Sequence, residues 1–204
     1  MTTSRVVFLP GASGDPAFWT PVATRLPPTL ERVGLSLPGL GRVPADSSVQ
    51  SLGDLVRRTV DAVGSEASLV AQSMGGIVAL LAALARPAQV RRLVLAATSG
   101  GIDVRRYGAR NWRPDYRAEY PNAAEWIFDA SVDLTERLRD IHAPTLLLWG
   151  DADPISPVGV GRALAASPGT SARRSVSGRA RRGAAGGASA RETGSGLSDP
   201  PSAR

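Results

Sequence analysis

Apolar residues along the chain gather into short runs at 5–9, 31–37, 68–71, 90–97 and 144–149, each of strand length. Between them lie segments of helical character. Residues 18–26 predict a short helix, and 51–63 carry apolar side chains at 52, 55, 56, 60 and 63. Residues 76–85 are rich in Ala and Leu and stop before Pro87, and 158–166 form a last helical stretch. Ser51 is placed to cap the second of these helices, with Asp54 in its first turn. Buried strands alternating with helices predict an α/β fold: a mostly parallel sheet with helices on both faces. Residues 103–135 break the rhythm. They hold Tyr107, Trp112, Tyr116, Tyr120 and Trp126 among arginines and polar residues. Such an insertion suits either a short lid over the carboxyl edge of the sheet or a surface excursion packing its own aromatics.

Length and charge refine this picture. The 204 residues suffice for one core. The net charge of +6 suggests nucleic acid until it is located: residues 169–204 carry seven Arg against Glu192 and Asp199, a net +5. The body, 1–168, is therefore nearly neutral. The tail, 169–204, is mostly Gly, Ala, Ser and Arg, with Val176 and Leu197 its only large aliphatics, and is expected to be disordered. It has no aromatic residue to stack on bases, so no specific nucleic-acid partner is expected. Without cysteine and with one histidine, neither a disulfide framework nor a metal site is expected, and no cofactor is implied. The longest apolar stretch, 68–85, is interrupted by Gln72, two serines and two glycines, which fits a buried strand and helix rather than a membrane span. The apolar run at 6–9 is too short for a secretory signal. A cytoplasmic protein acting on a small-molecule substrate is the expectation; oligomeric state is not readable.

The chemistry centres on "LVAQSMGGIVALLAALA", residues 69–85. A strand, a sharp turn and a helix with Ser73 at the apex form the context of a nucleophile elbow. Strand and helix backbones nearly touch there, so small neighbours are required, and Ala71 and Gly75 supply them. The usual G-x-S-x-G pattern has glycine where this chain has Ala71.

Two further stretches join it: "FLPGASGDPAFW", a strand followed by a Gly-rich turn, and "PTLLLWGDADPISP", a strand followed by G-x-x-D. Together the three resemble the α/β-hydrolase fold family in its small single-domain form, from Arg5 to about Pro168, lacking the first two family strands. The resemblance implies that Ser73 attacks a carbonyl and that the backbone amides of Ala12 and Met74 form the oxyanion hole. It also implies that Asp153, favoured over Asp151 by the G-x-x-D spacing, orients a histidine. Asp103 reads as a loop residue. Ligands are expected between the first strand and the Ser73 strand, where connections reverse direction.

That histidine is missing. His142 lies at the amino end of the strand whose carboxyl end precedes Asp153, about 20 Å from it at roughly 3.3 Å per residue, whereas a base must approach to about 3 Å. The expected function is thus a serine hydrolase of small ester, thioester or related carbonyl compounds, impaired by loss of its base. The competing function is a non-catalytic ligand-binding protein on the same fold. The fold is expected to be truncated at its C-terminal end, leaving strand 144–149 as a sheet edge. All 24 basic residues are Arg, as GC-rich codons give, and the tail composition is that of GC-rich DNA read out of frame. "GRARRG" at 178–183 can be encoded so that the frame one base later spells Gly-Ala-His-Asp-Ala, which resembles the family's histidine turn.

Overall fold

The computed structural model describes residues 4–167 together with the backbone of residues 172–173 and 177–178. Five principal strands, β1 (Arg5–Leu9), β2 (Glu31–Gly34), β3 (Ala67–Gln72), β4 (Val90–Ala96) and β5 (Thr145–Gly150), pair in the order β2-β1-β3-β4-β5, all parallel. From β1 the chain crosses first to β2 on one side and then to β3 on the other. The switch point therefore lies between β1 and β3, as expected.

Three of the four expected helices form where the pattern places them. Helix α2 (Leu52–Val63) is capped by Ser51, whose hydroxyl accepts from the Asp54 amide while donating to the Asp54 carboxylate. That bond, with the Gln50 amide, holds the Asp54 carboxyl below its usual range. Helix α3 (Met74–Ala85) stops just before Arg86 and Pro87. Helix α6 (Val158–Ala166) packs on β5, with Gly161 against the Trp149 ring. The expected helix at 18–26 is instead a 3-10 turn, Pro16–Trp19, and one turn of helix, α1 (Thr20–Ala23). Pro21 has no amide to bond back into the preceding turn, and Pro27 and Pro28 disfavour helical backbone just before them. Strand 31–37 ends at Gly34, because Leu37 turns away to donate to the Gly14 carbonyl.

Burial alternates along β3 and β5, with every second residue fully buried. On the well-covered face Val7, Leu9, Leu69, Ala71, Leu93, Leu95 and Leu147 meet α2, α3 and α6. On the opposite face Val6 and Phe8 pack with Trp19 beneath the 3-10 turn and α1, while Val94, Leu146 and Leu148 are only half-buried.

The insertion between β4 and β5 folds into α4 (Arg113–Glu119) and α5 (Trp126–Asp129). Trp112, Tyr116, Tyr120 and Phe128 pack ring against ring. It packs its own aromatics and also reaches the carboxyl-edge loops, where the Ala124 amide donates to the Gly39 carbonyl.

One expectation is corrected. β5 is not a sheet edge: β6 (Ala172–Arg173) pairs with Thr145 and Leu146, and β7 (Ser177–Gly178) with Trp149 and Gly150, both parallel. Ladder pairing uses backbone groups and needs no apolar side chain, so a segment of Ala, Arg, Ser and Gly can supply it. The remainder of the expected disordered tail, 169–204, lies outside the described residues.

Candidate functional site

β3 delivers the chain to the carboxyl edge of the sheet, where Ser73 adopts φ 51°, ψ −117°. A non-glycine residue rarely takes this conformation, which costs about 1–3 kcal/mol and persists only where its surroundings impose it. Here they do. The Ser73 amide donates to the Ala96 carbonyl (3.0 Å), and its carbonyl accepts from the Gly76 amide (2.9 Å) and the Thr98 hydroxyl (2.7 Å). The turn also requires close approach. A Cβ on Gly75 would fall 2.3 Å from the Pro10 carbonyl oxygen, and one on Gly11 would lie 3.1 Å from Ser73 Cβ and 2.2 Å from Gln72 Oε1. Ala71, where the pattern usually has glycine, lies wholly within β3 between Leu9 and Leu95, so its methyl group joins the core.

The β1 loop and the elbow thus abut. Residues 11–14 close a turn through the Gly14 amide and Gly11 carbonyl (3.0 Å), with Gly11 against Ser73 and Ala12 next in the chain. Met74 is buried as the first residue of α3, where backbone amides have no partner within the helix.

Asp153 follows β5 at the same edge. One of its carboxylate oxygens accepts from the Ile155 (2.8 Å) and Ser156 (2.9 Å) amides. Asp151 is exposed, and among the described residues its carboxylate takes no hydrogen bond. A polar chain links the acid loop to the elbow. The buried Ser156 hydroxyl donates to the Thr98 carbonyl (3.0 Å), and the Thr98 hydroxyl donates to the Ser73 carbonyl. Ala97, the other non-glycine residue with positive φ among those described (44°), sits one residue past β4 and turns Thr98 back toward Ser73. Thr98 and Ser156 were not foreseen; "AATSGG" and "PISP" carry no signal for them.

The remaining candidates lie elsewhere. Asp103 caps a 3-10 turn, Val104–Tyr107, and pairs with Arg105 at 2.8 Å, which holds its carboxyl below the usual range. It is a loop residue, as expected. His142 is exposed at the amino end of β5, beside a concavity of about 340 Å³ lined by Pro87, Val90 and Arg92, on the opposite edge of the sheet from Ser73. Among the described residues no group of His, Cys, Asp and Glu is arranged to hold a metal, and no helix is long and apolar enough to cross a membrane.

Comparison with known proteins agrees with this architecture. The Alpha/beta hydrolase family profile matches residues 6–135. No curated protein matches the chain. Among solved structures, a hydrolase from Pseudomonas aeruginosa PA01 is similar at TM-score 0.66 and 21% identity, over 86% of this chain and 81% of that one. The Paleococcus ferrophilus monoacylglycerol lipase is similar at TM-score 0.63 and 19% identity, over 85% and 84% of the two chains. Est816, an N-acyl homoserine lactone degrading enzyme, gives TM-score 0.63 and 22% identity over 86% and 85%. With its parallel sheet, its β1–β3 switch point and 130 consecutive residues matched, the chain belongs to the α/β-hydrolase family of hydrolase-type enzymes.

Proposed function

We propose that the chain is a serine hydrolase of small esters, thioesters or related carbonyl compounds, with Ser73 as the nucleophile. The observation that carries this reading is the Ser73 backbone at φ 51°, ψ −117°, held by three hydrogen bonds at the switch point of the sheet. In this conformation the side chain stands at the apex of the turn, and the amides of Met74 and Ala12 receive the negative charge of a tetrahedral intermediate. Asp153 is the acid: two backbone amides hold one carboxylate oxygen and leave the other for an imidazole. His142 on the far edge takes no part. Turnover is therefore low, because loss of a triad histidine costs on the order of 10⁶ in a well-studied protease, while about 10³–10⁴ over water survives from oxyanion stabilisation and binding.

A fluorophosphonate probe tests the reading. Slow covalent labelling that is lost in Ser73→Ala supports it. A chain that labels no faster than Ser73→Ala yet binds a small ligand tightly is instead a binding protein on this fold, the reading favoured by the position of the chain's only histidine.

A further inference from the structure

Ser73 is held by its own helix and by β4 with the residue pair that follows it, but the loop that faces it is fastened from the lid. The Tyr116 hydroxyl, on α4, donates to the Ala12 carbonyl at 2.7 Å and accepts from the Gly41 amide at 2.7 Å. These partners lie 104 and 75 residues away in sequence. The phenol is buried, 8% exposed, and the rings of Trp112 (5.2 Å), Tyr120 (4.9 Å) and Phe128 (5.8 Å) fix its direction. Burial pushes its pKa up to about 12, so the hydroxyl keeps the proton it donates. The second loop is pressed onto the first. A Cβ on Gly41 (φ +58°) would fall 2.1 Å from the Ser13 carbonyl oxygen, and the Leu37 amide donates to the Gly14 carbonyl. Tyr116 joins the two.

We propose that Tyr116 is a positioning residue for the Ala12 amide, so that the oxyanion-binding geometry is completed by the docking of lid helix α4. The proposal rests on the reading of Ser73 as nucleophile. The peptide plane before the Ala12 α-carbon carries the amide that faces the oxyanion, and the Gly11–Gly14 turn bond fixes it. The plane after that α-carbon carries the carbonyl gripped by Tyr116. With both planes fixed, the amide cannot swing away. A donor aimed at developing charge stabilises it most when no reorientation is needed, and misplacement by about 1 Å costs on the order of 100-fold. Removing the hydroxyl frees the second plane and leaves two partly buried backbone groups without their partner.

The test uses the full chain and a fluorophosphonate probe, with the labelling rate of Ser73 measured against probe concentration. In Tyr116→Phe the limiting rate falls about ten- to a hundredfold while the half-saturating concentration is unchanged. Amide exchange at Gly41 accelerates, and the amides of β1 and β3 keep their protection, which shows that the fold is intact. Tyr120→Phe, which removes the hydroxyl of the adjacent ring, labels like wild type. An unchanged limiting rate in Tyr116→Phe overturns the proposal and leaves the serine reading standing. So does a rise in half-saturating concentration alone, because that is the result of lid packing without amide positioning. Wild-type labelling no faster than Ser73→Ala is a different failure, since it removes the nucleophile and the proposal with it.

Discussion

The elbow side and the acid side of the site are built from different materials. At the elbow, placement comes mainly from backbone: a left-handed serine, Gly75 where no Cβ fits, and the Ala96 carbonyl of the neighbouring strand as acceptor, with the Thr98 hydroxyl as the one side-chain tie. Past β5, placement comes from one carboxylate on two amides, and its proposed purpose is a side chain the sequence does not supply. A region fixed by backbone geometry is over-determined and stays formed whether or not it turns over substrate. A region whose role is to orient another side chain can be folded and idle.

The comparison breaks most sharply if the acid side is given its partner. Residues 177–182 read one base later can become Pro-Gly-Ala-His-Asp-Ala, and β7 ends beside Gly150, three residues before Asp153. Expressing the chain in that frame from residue 177 raises ester turnover by on the order of 10³-fold or more, measured as initial rates on a p-nitrophenyl ester. Coding DNA that spells no histidine here in either shifted frame would sink the idea. Next in size is the elbow itself. Gly75→Ala drives a methyl group into the Pro10 and Leu9 carbonyls, costs about 3 kcal/mol or more, and lowers the melting temperature by roughly 10 °C. Thr98→Val, at the junction of the two regions, strips hydrogen bonds from the Ser73 carbonyl and the Gly100 amide. It costs about 1–3 kcal/mol by denaturant titration, and Thr98→Ser recovers most of that. The smallest effect is Asp153→Asn in the chain as it stands. The amide oxygen still accepts from Ile155 and Ser156, so stability changes by less than about 1 kcal/mol and Ser73 labelling is unchanged. In the histidine-bearing chain the same substitution lowers turnover by about 10⁴. A large effect of Asp153→Asn without the histidine would show that the acid side is not idle.

Much of this was legible beforehand, for physical reasons. Runs of Val and Leu between helical stretches mark β1, β3, β4 and β5, because these strands are buried at least on one face; β2, mostly exposed, is marked only by its place between two turns. The elbow could be read because its sterics admit few residues: Ser73, Gly75 and Gly76 in order after a strand are themselves the geometry. The helix expected at 18–26 is cut to Thr20–Ala23 by Pro21 within it and Pro27 and Pro28 after it. Tyr116 stood out only as a lid aromatic, since a phenol bridging loops 75 and 104 residues away leaves no local trace. Thr98 and Ser156 were invisible for the same reason. The pairing of β5 with β6 and β7 was missed because composition speaks to side chains, whereas ladder bonds are made by backbone.

The left-handed serine has a consequence for how the chain tolerates drift. Glycine enters that region without a steric penalty, so at position 73 it would be more stable by roughly 1 kcal/mol. Random substitution filtered only for folding would therefore favour losing the hydroxyl. If Ser73 is the nucleophile proposed above, a serine kept where glycine would fold better is a trade of stability for chemistry.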